Sequence, residues 1–198
     1  MLSTTGQSPD KLIKSILNES AAIKMAMEQD EELANMIATI AAAIVNAYEN
    51  GHKMLLCGNG GSAADAQHIA AELVGRFNAD REPLPAVSLA ANNSTVTAVG
   101  NDFSFEDIFA RQVRGLGQSG DVIFGLSTSG NSENVLRALQ AGEEQGLVTV
   151  AFTGSGGGRL RSAADFCLQI PSENTARIQE AHITAAHIIC ELVEAEFS

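Results

Sequence analysis

Five short apolar runs punctuate the chain: Lys53–Cys57, Pro85–Leu89, Asp121–Leu126, Leu147–Phe152 and Asp165–Ile170. None alternates strictly between apolar and polar positions, which is the pattern of strands covered on both faces. Helical patterns separate the runs, and strands alternating with helices predict an α/β fold with a parallel sheet and helices on both sides. Two amphipathic helices are expected before the first strand, over Pro9–Glu28 and Asp30–Glu49. In the second, Leu33, Ile37, Ile40, Ile44, Val45 and Tyr48 recur at helical spacing, and Gly51 stops it. The last segment, Asn174–Phe197, keeps little polar face in its middle, so it must be covered on nearly all sides. In a chain this small, another subunit is expected to supply the missing cover, with Ile188 and Ile189 as candidate contacts.

Composition narrows the setting. The 198 residues suit one domain, with no linker, repeat or low-complexity tract, and 45% apolar content gives ample core material. Lys and Arg total 12 against 24 Asp and Glu, a net charge of −12. Such a surface disfavours nucleic acid and anionic membranes as partners, and it also repels phosphorylated metabolites at long range. A phosphate site here must rely on local amides and hydroxyls. Met1–Asp10 is polar without a signal pattern. The longest apolar stretch, Met36–Val45, has about half the ~20 residues a membrane span needs, so a cytoplasmic protein is expected. The three cysteines, Cys57, Cys167 and Cys190, form no CxxC pair, lie in apolar runs and read as buried free thiols.

Two loops have the makings of an anion site. The first strand runs into Gly58-Asn59-Gly60-Gly61-Ser62, with a helix expected from about Ser62; glycine lets a ligand approach the backbone, and a helix N-terminus favours negative charge. Gly58, Gly60 and Ala63 also match G-x-G-x-x-A, but a dinucleotide site needs an acidic residue ending the second strand, which here ends Leu89-Ala90-Ala91-Asn92. The third strand runs into Ser127-Thr128-Ser129-Gly130-Asn131-Ser132 before a helix from about Glu133. Its hydroxyls could serve as turn and cap residues, yet two such loops at the carboxyl ends of one sheet favour a phosphate ester. Thr153–Gly158 is a weaker third loop.

Candidate chemistry lies on two helices. His68 and Glu72 are four apart and share a face, while Gln179, Glu180, His182 and His187 interrupt the apolar last helix, where polar groups need partners. Two imidazoles, a carboxylate and an amide oxygen make a shell suited to Zn²⁺ rather than Mg²⁺. His-x-x-x-Glu is not the HExxH protease motif.

Cys57–His68, Gly100-Asn101-Asp102-Phe103, Ser127–Ser132 and Arg177–His182 together resemble, in order, the signatures of the phosphoheptose isomerases of the SIS (sugar isomerase) domain superfamily. The resemblance spans essentially the whole chain. It implies a single SIS domain over 1–198, a flavodoxin-like three-layer sandwich with a five-stranded sheet, whose leading helices at about 9–50 serve packing and oligomerisation. It also implies a homotetramer with active sites at subunit interfaces and one zinc per subunit. The implied reaction converts sedoheptulose 7-phosphate into D-glycero-D-manno-heptose 7-phosphate, the first step toward the ADP-heptose of lipopolysaccharide. Carried over by position, the zinc ligands are His68, Glu72, Gln179 and His187, and the base and acid are Glu72 and His187. Substrate contacts fall on Asn59, Gly60, Gly61, Ser62, Glu72, Asn101, Asp102, Ser127, Thr128, Ser129, Ser132 and Gln179. Some relatives carry an acidic residue where this chain has Ala176.

Two rival readings belong to other classes. Some similar SIS proteins are non-catalytic adaptors that bind the replication initiator, with Glu72 and His187 replaced by residues unfit for proton transfer; both are present here. Sugar-phosphate-sensing regulators carry a DNA-binding module that this acidic chain lacks. One geometric demand stands out. Gln179 and His187 are about 12 Å apart along a continuous helix at ~1.5 Å per residue. Either Gln179 sits in a frayed helix start, or two subunits share the site.

Overall fold

The computed structural model describes residues 8–198, so the reading of the polar leader falls outside the described residues up to position 7. Two helices, α1 (Pro9–Gln29) and α2 (Glu31–Glu49), precede the first strand, β1 (Met54–Gly58). There follow α3 (Gly61–Val74), β2 (Ala86–Ser88), α4 (Asn93–Asp102), α5 (Ala110–Leu116), β3 (Val122–Leu126) and α6 (Glu133–Gln145). The chain closes with β4 (Val148–Thr153), β5 (Phe166–Gln169) and α7 (Thr175–Glu196).

The five strands pair in the order β2-β1-β3-β4-β5, all parallel. Each predicted apolar run became a strand. Residues of β1 and β3 are buried throughout, because the side chains of each strand alternate between two covered faces. Met54 and Leu56 join the core under α2, α3 and α7, while Leu55 and Cys57 join the opposite core under α5 and α6. The result is the expected three-layer α/β sandwich. Since α3 leaves β1 on one face and α6 leaves β3 on the other, a crevice opens between the carboxyl ends of these neighbouring strands.

Asp30 caps α2 by accepting the Leu33 amide at 3.0 Å. By contrast α1 buries only Met27, and Ile13, Leu17 and Met25 are each more than half exposed. On α7 the residues Ile178, Ala181, Ala185, Ile189 and Val193 face the core, whereas Ile188 and Leu192 remain about two-fifths exposed. Ile189 is therefore a core residue, and of the expected pair only Ile188 stands exposed on the surface. An apolar groove of about 330 Å³ separates this face of α7 from α1 and α2. Among the cysteines, Cys57 and Cys190 are buried as expected; Cys167 is only half-buried because β5 is an edge strand. Among the described residues no helix is long and apolar enough to cross a membrane.

Candidate functional site

Gly58, Gly60 and Gly61 let the chain turn sharply from β1 into α3. A Cβ on Gly58 would lie 2.6 Å from the Ser62 carbonyl oxygen, and Gly60 sits at φ +55°, which disfavours side chains. The helix starts at Gly61, one residue earlier than expected, with no side-chain cap. The Ser62 and Ala63 amides are bonded back to Asn59 and Gly60, leaving those of Gly60 and Gly61 without a backbone acceptor among the described residues.

Across the crevice, Ser127 is buried at the end of β3 and its Oγ lies 2.9 Å from Ser132 Oγ and 3.4 Å from Ser129 Oγ. Thr128 is half-buried and Ser129 exposed, so the hydroxyls run from the sheet edge to the surface at the α6 N-terminus. Gly130 holds the loop tight at φ +65°, where a Cβ would collide with the Gly157 carbonyl. That contact seats the serine loop on the third loop, Thr153–Gly158, giving the latter a supporting role.

The two loops are tied together by a residue that the sequence did not single out. Asn134, buried in the first turn of α6, exchanges two amide hydrogen bonds with Asn59, at 2.8 and 2.9 Å. The Asn59 side chain is thus occupied in joining loop to loop. Arg159, likewise unforeseen, donates to the Asn131 carbonyl and pairs with Glu133 at 2.8 Å beside the serine loop. Asn101 and Asp102 stand exposed at the end of α4, a helix with no buried residue, and bond each other at 2.8 Å. Among the described residues no hydrogen bond ties them to either loop.

His68, Glu72 and His187 converge where α3 and α7 pack side by side. His68 Nε2 lies 3.0 Å from Glu72 Oε1 and 3.0 Å from His187 Nε2. A single ring proton serves only one of these acceptors, whereas one cation satisfies all three atoms, which lie within 4.8 Å of one another. Ligand atoms at ~2.1 Å from a tetrahedral zinc stand ~3.4 Å apart, so the cluster fits such an ion. The Phe77 ring packs against the His187 imidazole, with centroids 5.5 Å apart. Asp65, one turn before His68, has a buried Oδ2 with no hydrogen-bond partner among the described residues. Burial pushes its carboxyl above the usual range, against the opposing pull of His68 and His187.

The other polar residues of α7 have different duties. Glu180 pairs with Arg177 and accepts the Ser20 hydroxyl at 2.7 Å, pinning α1 to α7. His182 is fully buried, its Nε2 bonds the Thr153 carbonyl at 3.1 Å, and burial lowers its pKa to about 4, so it is a neutral core group. Gln179 packs over Gly61, where a Cβ would meet its amide at 2.5 Å. Since α7 is continuous from Thr175, Gln179 is not in a frayed start. It stands about 12 Å along the axis from His187 at ~1.5 Å per residue. One chain therefore assembles three of the four expected ligands and leaves Gln179 at the glycine loop.

The SIS domain family matches residues 18–154 of the chain. The phosphoheptose isomerase of Aquifex aeolicus is 53% identical, covering 92% of this chain and 94% of its own length. Among solved structures, the phosphoheptose isomerase from Neisseria gonorrhoeae is 39% identical with a TM-score of 0.90, covering 95% of this chain and all of that one. The enzyme from Francisella tularensis is 38% identical with a TM-score of 0.91, covering 96% of this chain and all of its own.

Proposed function

The chain belongs to the SIS domain family and, within it, to the phosphoheptose isomerases; from that premise we propose that it interconverts sedoheptulose 7-phosphate and D-glycero-D-manno-heptose 7-phosphate with one zinc per subunit. That it is a sugar-phosphate isomerase follows from the family; substrate, metal and assembly are the proposal. The observation that carries it is the convergence of His68, Glu72 and His187 beside two loops suited to an anion. The adaptor reading finds no support among the relatives.

Ketose–aldose exchange moves one proton from C1 to C2, while O2 gains a proton and O1 loses one, so composition is unchanged. In this reading Glu72 carries the carbon-bound proton and His187 exchanges protons with the oxygens. Glu72 Oε1 faces His68, and its Oε2 has no hydrogen-bond partner among the described residues, so one carboxylate offers an oxygen for each duty. His68, Glu72 and His187 would hold the zinc, which supplies Lewis-acid stabilisation of charge developing on substrate oxygen. Ser127, Thr128, Ser129 and Ser132 would bind the phosphate with the open amides of Gly60 and Gly61, while Ser62, Asn101, Asp102 and Gln179 would contact the sugar.

A homotetramer with shared sites accounts for features that one chain leaves unexplained. Gln179 lies too far along α7 to join His187 of the same chain on one ion, and Ile188, Leu192 and the apolar residues Ile13, Leu17 and Met25 of α1 are left exposed among the described residues. A neighbour would supply both. As an enzyme of soluble sugar phosphates at the start of lipopolysaccharide heptose supply, the protein would work in the cytoplasm. Incubation with sedoheptulose 7-phosphate should yield the heptose by NMR, lost on chelation and restored by zinc; no aldose product would refute the assignment.

A further inference from the structure

We infer that Arg81 and Glu194 form a buried strut that positions Glu72 and His187, an inference that rests on the isomerase reading above. The end of α3 presents carbonyls with no helical partner, and Glu72 lies in that last turn. Arg81 returns from the following loop to close it. Its Nη2 donates to the Glu72 carbonyl at 3.0 Å and its Nη1 to the Leu73 carbonyl at 2.9 Å. A guanidinium here also complements the negative end of the helix.

The cation is held in turn by Glu194. Arg81 Nε lies 3.2 Å from Glu194 Oε1, with side chains only 1% and 4% exposed. The contact is an ion pair rather than an aligned hydrogen bond. The same carboxylate accepts the amides of Phe77 at 2.8 Å, Asn78 at 2.6 Å and Ala79 at 2.9 Å. Burial opposes its ionisation, but these amides and Arg81 together hold the carboxyl below its usual range.

Both ends of the strut reach the reacting groups. Glu194 lies two turns beyond His187 on α7, and it anchors the backbone of Phe77, whose ring packs on the His187 imidazole. Arg81 ends on the main chain of Glu72 itself. The comparison pair is Lys53–Asp121, at 2.6 Å with Asp121 fully buried, which joins the amino ends of β1 and β3 away from the crevice. Loss of that pair should cost stability alone.

The test compares Arg81→Met, Glu194→Gln and the control Lys53→Met in the full-length protein. Readouts are zinc affinity by competition with a chromophoric chelator, and kcat and KM on sedoheptulose 7-phosphate. Groups that orient metal ligands typically govern affinity ~10–100-fold, so Arg81→Met and Glu194→Gln should weaken zinc binding by about that factor. Their kcat should fall about tenfold or more with KM nearly unchanged, because the serine loop is untouched. Lys53→Met should lower Tm while leaving both zinc affinity and kcat within about twofold. Arg81→Lys keeps the cation but not the fork, and should fall between wild type and Arg81→Met; it substitutes for Arg81→Met should that variant not fold. Undiminished zinc affinity and kcat in the strut variants, or equal losses in Lys53→Met, overturn the inference. A wild-type protein that neither binds zinc nor turns over the sugar phosphate overturns the functional reading instead.

Discussion

The amide pair between Asn59 and Asn134 gives a measurable handle on how the two loops act as one site. Asn134→Ala removes both hydrogen bonds and leaves the Asn59 amide, itself half-buried, with neither partner. Each bond contributes about 1 kcal/mol net, so the substitution should cost roughly 2–3 kcal/mol, and Asn59→Ala a similar amount. Because the two side chains mainly serve each other, Asn59→Ala with Asn134→Ala should cost little more than either alone, a coupling of about 2 kcal/mol in a double-mutant cycle. Denaturant unfolding of the four proteins at one fixed protein concentration supplies the cycle. Steady-state kinetics should show the matching effect, KM rising in either single variant as the glycine loop drifts from the serine loop. Additive losses of stability would refute the reasoning, since they would mean that each asparagine acts through other neighbours.

Three further outcomes are expected. Glu72→Gln and His187→Gln should each lower turnover by about two orders of magnitude or more with the fold retained, measured by steady-state kinetics and circular dichroism; near-native turnover in either removes that residue from proton transfer. Ile188→Glu should dissociate the assembly in light scattering and abolish activity together, whereas an active, metal-loaded monomer would sink the shared site. His182 has its pKa lowered to about 4 by burial, so between the unfolded value of 6.5 and about 4 the unfolded chain binds more protons. Its contribution to stability is present above pH 6.5 and is lost as pH falls through that window, on the order of 3 kcal/mol in all. His182→Gln should flatten the fall in melting temperature over that range relative to wild type; parallel curves would show that the imidazole is not the group responsible.

Much of the fold was legible along the chain because it rests on local, repeating causes. Runs such as Asp121–Leu126 are apolar without alternation because both faces of a central strand are covered, and that pattern alone marks a parallel sheet. The glycines after β1 and the hydroxyls after β3 announced their loops, since special backbone geometry and free donors demand those residue types. His68 and Glu72 are four apart on one helix, so their proximity is also local. Tertiary packing decided what depends on which face of α7 meets which neighbour. An apolar helix with two histidines does not say which one is solvated; packing against β4 made His182 a buried neutral group, and packing against α3 brought His187 to His68. Ile188 and Ile189 differ by one position, yet a rotation of about 100° per residue leaves one exposed and buries the other. Asn134, Arg81 and Glu194 carried no sequence signal, because a polar residue becomes a tie or a strut only when a partner distant along the chain is packed against it.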